Sequence, residues 1–252
     1  NSTINYGSFT SQIFDFGSTS QWNNISWVSN AYGDFPANQQ TETKFVSGNV
    51  NMTGNILLMH FNNESSVGEN STFVYDFSGE GNNASCSATA CPIINFTDKQ
   101  LGAASFYYDG VNDVHQVIGT FDPPQAGTVA MWVKPSDKNY RHRTSGMGDA
   151  YEVLLLDSGS TYYVSNQLFA AGSSVLYGNI QVPYDEWHFI VATYNYSTNL
   201  AEIYVDGVFD TNGTTANDDP GTGTLSIGQR IGGDGPYSGF IDELTIWNKT
   251  LS

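Results

Sequence analysis

The stretch GFIDELTIWNKTLS, residues 239–252, decides how this chain is read. Phe240, Leu244 and Ile246 have the spacing of one face of a β-strand, because successive strand side chains point to opposite sides. On that alternation Asp242 shares a face with Phe240, Leu244 and Ile246, while Glu243 points with Ile241 and Thr245. A carboxylate on an apolar face is costly unless it is hydrogen-bonded, ion-paired or bound to a metal. Asp242 is expected to fill one of these roles.

Outward from this segment, helical periodicity is nearly absent. Short alternating or apolar runs are separated by Gly, Asn, Asp and Pro clusters, the pattern of an all-β sandwich. Strand candidates are SQIFDFG, NNISWVS, NILLMHF, AASFYYDG, TVAMWVKP, YEVLLLDS, YYVSNQLFA, WHFIVATYN, AEIYVDGVF, TLSIGQR and FIDELTIW. Asp206-Gly207, between two such runs, predicts a tight hairpin. Residues 1–53 are expected to form an N-terminal β segment that precedes or packs on a main domain over 54–252, with 29–53 a polar, turn-rich connection.

The chain has 252 residues, enough for a sizeable core, and carries 8 Lys and Arg against 25 Asp and Glu, a net charge of −17. Nucleic acid and anionic membranes are poor partners for such a chain, since phosphate binding needs clustered basic charge. No apolar run is long enough to span a bilayer. No signal peptide opens the sequence, so residue 1 is expected to mark a mature or trimmed fragment, with any anchor outside it. Asn-x-Ser/Thr sequons begin at Asn1, Asn24, Asn51, Asn63, Asn70, Asn83, Asn95, Asn195, Asn212 and Asn248. An Asn- and Thr-rich chain makes some by chance. Their density and the scarcity of lysine point instead to a secreted or cell-surface glycoprotein. Cys86 and Cys91, in SCSATAC, have no Cys or His beside them for a metal site. A short-loop disulfide is expected, one that pins a loop more than it stabilises the fold.

Several pieces occur in a recognisable order: NILLMHFNNESS, VYDFSGEGNNA, LGAASFYYDGVNDVHQV, GTVAMWVKP, DEWHFIVATYN, AEIYVDGV, LSIGQR and GFIDELTIWNKTLS. The succession resembles laminin-G-like, concanavalin A-like jelly-roll domains in their pentraxin-related form, over about residues 54–252. The preceding GSFTSQIFDFGSTSQWNNISW is similar to a β segment that often precedes such domains in microbial surface proteins. The resemblance implies two antiparallel sheets packed face to face as a jelly-roll sandwich. It also implies a structural Ca2+ site, with Asp242 as ligand, the Asp109 side chain and Gly110 carbonyl from the YDG turn, and Asn62 from an early strand end. Relatives often place an acid where Asn62 stands. The alternative is that Asp242 accepts backbone hydrogen bonds and holds no metal. Trp187 matches a family core position. The oxygen-rich DFSGEGNN, residues 76–83, lacks the closing bidentate Glu of an EF-hand and is expected to be an ordinary turn.

Concanavalin A-like folds also host glucanases. Glycoside hydrolysis needs two carboxylates flanking the scissile bond, and no Glu-x-Asp-x-Glu triplet occurs. Asp185 and Glu186 are adjacent and close a turn. His60, His115, His142 and His188 are scattered, no nucleophile elbow appears, and GQRIGGDG follows a strand into a loop rather than a helix. Binding remains. In TVAMWVK, Val129, Met131 and Val133 are the more apolar face, which leaves Trp132 and Lys134 to line the concave surface for a ligand; the alternative is a buried Trp132 covered by the loop that follows. The loop expected over 135–151 is basic and Tyr-bearing. Lys134, Lys138, Arg141 and Arg143 are half of all Lys and Arg. With Tyr140 and Tyr151, this loop is the second candidate contact, suited to an acidic glycan, unless its charges pair with nearby acids. Residues 215–223 and 232–239 are candidate rim loops. The sequence therefore points to a noncatalytic lectin-like module that binds carbohydrate or a glycosylated surface partner for attachment. A ligand-free spacer is the alternative, and a glycosidase-like enzyme the weaker one. The sequence does not define the oligomeric state.

Overall fold

The structure is a computed structural model. It describes residues 52–87, 89–136, 141–147, 151–158, 161–168, 175–214, 221–230 and 232–251. The expected segment 1–53 falls almost wholly outside these residues. Sixteen strands and one short 3-10 turn, Ser65–Val67, make up the described chain. In chain order the first seven strands are β1 (Asn55–Met59), β2 (Phe73–Val74), β3 (Ala84–Ser85), β4 (Ile93–Asn95), β5 (Ser105–Asp109), β6 (His115–Val117) and β7 (Ala126–Pro135). Next come β8 (Arg141–Met147), β9 (Tyr151–Asp157), β10 (Thr161–Asn166), β11 (Leu176–Pro183) and β12 (His188–Asn195). The last four are β13 (Leu200–Val205), β14 (Val208–Thr214), β15 (Ser226–Ile227) and β16 (Ser238–Trp247).

The strands form two eight-stranded antiparallel sheets. The first runs β14-β13-β12-β7-β16-β5-β4, with β1 also paired to β16. The second runs β11-β10-β9-β8-β15-β6-β3-β2. The core lies between them. It takes Val129, Met131 and Val133 from β7 and Ile190 and Ala192 from β12, against Tyr151, Val153, Leu155, Tyr162 and Val164 of the second sheet. This is the jelly-roll sandwich the motif order implied. The Asp206-Gly207 hairpin forms as predicted, with both residues at positive φ, 53° and 77°, as a two-residue turn of this type requires.

The last strand departs from simple alternation. Opposite β7, Asp242 pairs with Trp132 and Thr245 with Ala130, so Glu243 and Leu244 together face Met131. This is a β-bulge, with Glu243 in the left-handed region at φ 50°. The extra residue resets the phase. Ile241, Leu244 and Ile246 enter the core, whereas Phe240 stays on the outward face. Asp242 therefore shares a face with Phe240 and not with Leu244 or Ile246, which corrects the period-2 reading. The bulge falls where β16 changes partner. Ser238–Ile241 pair with β5 and Leu244–Trp247 pair with β1. Gly239, at φ 136°, sits where a Cβ would overlap the Lys134 carbonyl, so glycine permits the close approach of β16 to β7.

Candidate functional site

The two acids of the bulge close the fork between β1 and β5. The Asp242 carboxylate is buried, and its Oδ2 accepts the backbone N–H groups of Gln100 and Leu101, both at 2.9 Å. Buried Glu243 meets the ring of His60 at the end of β1, Oε1 to Nδ1 2.8 Å. Asn62 Oδ1 accepts the N–H of Ala103 and, at 3.2 Å, of Ala104. Gly102 lies under Asn62, where a Cβ would collide with the amide. Asp242 and Asn62 thus hold both ends of the 100–104 segment that leads into β5.

Asp109 is not brought to this group. It lies opposite Ser238, four residues along β16 from Asp242, which is about 13 Å. Its Oδ1 accepts Val111 N–H at 2.8 Å and Asn112 N–H at 3.3 Å, closing its own turn with Gly110. Asp109 N–H in turn donates to Asp113, whose carboxyl is pushed up by burial first and by the Asp109 charge after it. Among the described residues no group of three or more His, Cys, Asp and Glu is placed to hold a metal. Asp242 Oδ2 and Asn62 Oδ1 both accept backbone N–H donors. These bonds make Asp242 and Asn62 a hydrogen-bonded clamp on the 100–104 segment. The 76–83 turn is likewise closed on itself, with Asp76 accepting from Leu58, Ser78 and Asn82 N–H.

The clamp has a further effect. It folds the 96–101 segment over the outward face of the first sheet and sets Asp98 beside β7. Asp98 Oδ2 accepts from Lys134 Nζ at 2.7 Å, and Oδ1 accepts from Trp187 Nε1 at 3.0 Å. Aromatic side chains surround this point by register. Trp132 is directly opposite Phe189, and their centroids are 5.2 Å apart. Lys134 is opposite Phe240, and Phe240 is opposite Tyr107. Phe240 lies 4.9 Å from the Tyr107 ring and 6.1 Å from Trp187, with Lys134 Nζ 5.8 Å from its centroid. Trp132, Lys134, Trp187, Phe189, Phe240 and Tyr107 are all partly exposed. Trp187 belongs to neither core cluster, so it joins this platform rather than the core position its family match implied.

The second expected contact region is not a loop. Residues 141–147 are β8, and 151–157 are β9. Arg143 is 2% exposed, ion-paired to buried Glu152 and, at 3.1 Å, to Asp234. Tyr151 is 1% exposed within the core, 5.9 Å from the Tyr194 ring. Neither side chain is presented to a ligand, which corrects the reading of an open basic loop. Polar β8 reads as a loop, yet its His142, Arg143, Thr144 and Ser145 are buried, with partners on β9 and β10 and at Asp234. Tyr140 and Lys138, and the Arg141 side chain, lie outside the described residues.

Cys86 and Cys91 form a disulfide, S–S 2.03 Å. The sequon residues Asn63, Asn70, Asn83, Asn95, Asn195, Asn212 and Asn248 are all at least partly exposed. Asn55 and Asn166, which are not in sequons, are fully buried. Asn1, Asn24 and Asn51 lie outside the described residues.

Sequence reasoning missed Asp98, Phe189, Phe240 and Tyr107 as members of the platform. Tyr107 and Phe189 were in runs already read as strands, and the alternation that exposed Trp132 applied to them once register was known. Asp98 had no local signal.

The sequence of residues 102–252 matches the family model described as the concanavalin A-like lectin/glucanases superfamily, of laminin G type. No curated protein matches. Among solved structures the chain is similar to the heptameric SAP-like pentraxin of Limulus polyphemus, with TM-score 0.50, 17% identity, and 58% of this chain and 76% of that one covered. It is similar to the receptor binding domain of botulinum neurotoxin type G, with TM-score 0.56, 15% identity, and 79% of this chain but only 49% of that one covered. It is also similar to domain 4 of a GH43 extracellular arabinanase from Geobacillus stearothermophilus, solved in complex with arabinotriose. There the TM-score is 0.54 and the identity 16%, over 79% of this chain and 94% of that one. At these identities the likeness is one of fold. The family model covers more than half of the sequence and agrees with the sandwich described above, and the chain belongs to the concanavalin A-like lectin/glucanases superfamily.

Proposed function

We propose that this domain is a noncatalytic carbohydrate-binding module and that its ligand surface is the outward face of the first sheet around Trp132, Phe189 and Phe240. The observation that carries the reading is the platform itself. Aromatic rings aligned by strand register, partly exposed, surround one carboxylate and one ammonium group. Sugar rings present polarised C–H groups to the negative face of an aromatic ring, and their hydroxyls both donate and accept hydrogen bonds. A cluster of partly exposed rings with a donor and an acceptor beside it meets both needs. The arabinanase domain solved with arabinotriose shows that a protein of this fold takes an oligosaccharide, which supports the assignment by analogy.

The acids offer no better reading. Asp242 and Glu243 are buried and hydrogen-bonded, and Asp109 and Asp113 bind each other's turn rather than flank a cleft. The disulfide and the exposed sequon asparagines support an extracellular or cell-surface glycoprotein, with a carbohydrate or glycosylated partner and attachment as its use. Calcium has no part in the proposed contact. Binding of the purified chain to immobilised glycans tests the reading, with Trp132→Ala and Phe240→Ala each expected to lower the signal about tenfold. Undiminished binding by both variants would move the site elsewhere.

A further inference from the structure

The sequence suggested an acidic glycan, on the strength of its clustered Lys and Arg. The structure accounts for two of those four cations, Lys134 and Arg143. Lys134 is already 2.7 Å from Asp98. Arg143 is buried beneath Glu152 and Asp234. Both singled-out cations whose side chains are described are therefore neutralised, on a chain whose net charge is −17. An anionic sugar approaching the platform would meet the Asp98 carboxylate, with the long-range field against it.

The pair is well built for something else. Asp98 is an acceptor with lone pairs to spare, since its side chain remains 32% exposed. Lys134, at 20%, keeps N–H groups beyond the one donated to Asp98. Asp98 is held from three sides: by Lys134, by the Trp187 indole, and by Ser105 Oγ donating to its backbone carbonyl at 2.6 Å. A fixed acceptor next to a fixed donor, beside aromatic faces, matches two neighbouring sugar hydroxyls. One hydroxyl donates to Asp98 and its neighbour accepts from Lys134.

Resting on the carbohydrate reading above, we infer that the platform takes neutral glycans with vicinal hydroxyls and rejects uronic and sialic acids, with Asp98 and Lys134 reading the hydroxyl pair. The charge balance of the site also sets its salt response. A neutral ligand releases no counterions and its affinity is nearly independent of ionic strength, whereas an anionic ligand held by Lys134 weakens steeply as salt rises.

The test is a titration of the purified chain with matched probes: neutral arabino-, cello- and galacto-oligosaccharides, lactose against α2,3-sialyllactose, and galacto- against galacturono-oligosaccharides. Expected are binding of at least one neutral series, at least about tenfold weaker binding of each acidic counterpart, and less than about a twofold change between about 50 and about 500 mM salt. Asp98→Asn and Lys134→Met, with melting temperatures checked against the parent chain, are each expected to lower neutral-glycan affinity about tenfold. Tighter binding of the acidic member of a pair, lost in high salt and in Lys134→Met, would overturn this inference and leave the carbohydrate reading standing. Neutral binding unaffected by both variants would also overturn it. Binding of no probe at all would overturn the carbohydrate reading, and this inference with it.

Discussion

Replacing Asp242 with Ala removes an acceptor that holds two backbone N–H groups from inside the protein. Hydrogen bonds to a charged partner contribute about 1.5–3 kcal/mol each, so the pair is worth about 3–6 kcal/mol at the upper bound. Gln100 and Leu101 are not fully buried, and water recovers part of the loss once the 100–104 segment loosens. The expected cost is about 2–4 kcal/mol, a fall of about 5–15 °C in melting temperature for a domain of this size. Asp242→Asn keeps one carbonyl acceptor and should lose about half as much. The assay is thermal and urea unfolding of the parent and both variants, in excess calcium and in EDTA. A hydrogen-bonded clamp predicts the same ranking in both buffers. A loss below about 0.5 kcal/mol for Asp242→Ala would refute the clamp. So would a parent chain that melts many degrees lower in EDTA and loses that dependence on substitution, since the carboxylate would then be holding a metal. Because the clamp delivers Asp98 to Lys134, the variants should also bind glycan more weakly at temperatures where they remain folded.

His115 is buried between Tyr108, whose hydroxyl is 3.0 Å from its Nδ1, and the Phe106 ring, and burial lowers its pKa to about 3 from 6.5. The folded state thus binds fewer protons, so this stability is complete above pH 6.5 and is lost as pH falls toward 3, by at most about 1.4 kcal/mol per pH unit. His115→Phe should flatten the acid limb of a stability–pH curve, and parallel curves would contradict the assignment. Arg143→Leu leaves Glu152 buried without its partner and should cost about 3–5 kcal/mol by chemical denaturation, whereas an exposed basic residue would cost almost nothing. Gly239→Ala should destabilise by more than about 1 kcal/mol, because the added Cβ meets the Lys134 carbonyl and φ is unfavourable. An unchanged denaturation midpoint would refute that.

The strands most legible in the sequence were those with a clean apolar face. TVAMWVKP, WHFIVATYN and AEIYV became β7, β12 and β13, with Val129, Met131 and Val133 of β7 inward as expected. The Asp-Gly turn carried its own backbone requirement and was equally plain. Three features were hidden for physical reasons. The bulge at Glu243 leaves no mark in composition, yet one extra residue turned Leu244 and Ile246 away from the face of Asp242. Strand β8 reads RHRTSGM, a polar string that passes for a loop because its burial depends on Glu152 and Tyr162 of the next two strands and on distant Asp234. The exposed placement of Trp132 and Lys134 followed from alternation, and the structure agrees. Asp98 joins them only through contacts across 36 and 89 residues, with Lys134 and Trp187, which no local pattern encodes. Asp109, expected beside Asp242, lies opposite Ser238 instead, a placement set by strand register rather than by any local pattern.

The most direct measurement is a glycan-array screen of the purified chain and of a Trp132→Ala/Phe240→Ala double variant, each in calcium and in EDTA. Expected are binding of neutral glycans by the parent chain in both buffers and its loss in the double variant at unchanged fold. Absence of binding in both buffers would contradict the carbohydrate reading and favour a spacer without a ligand. Binding that survives the double variant would contradict the site.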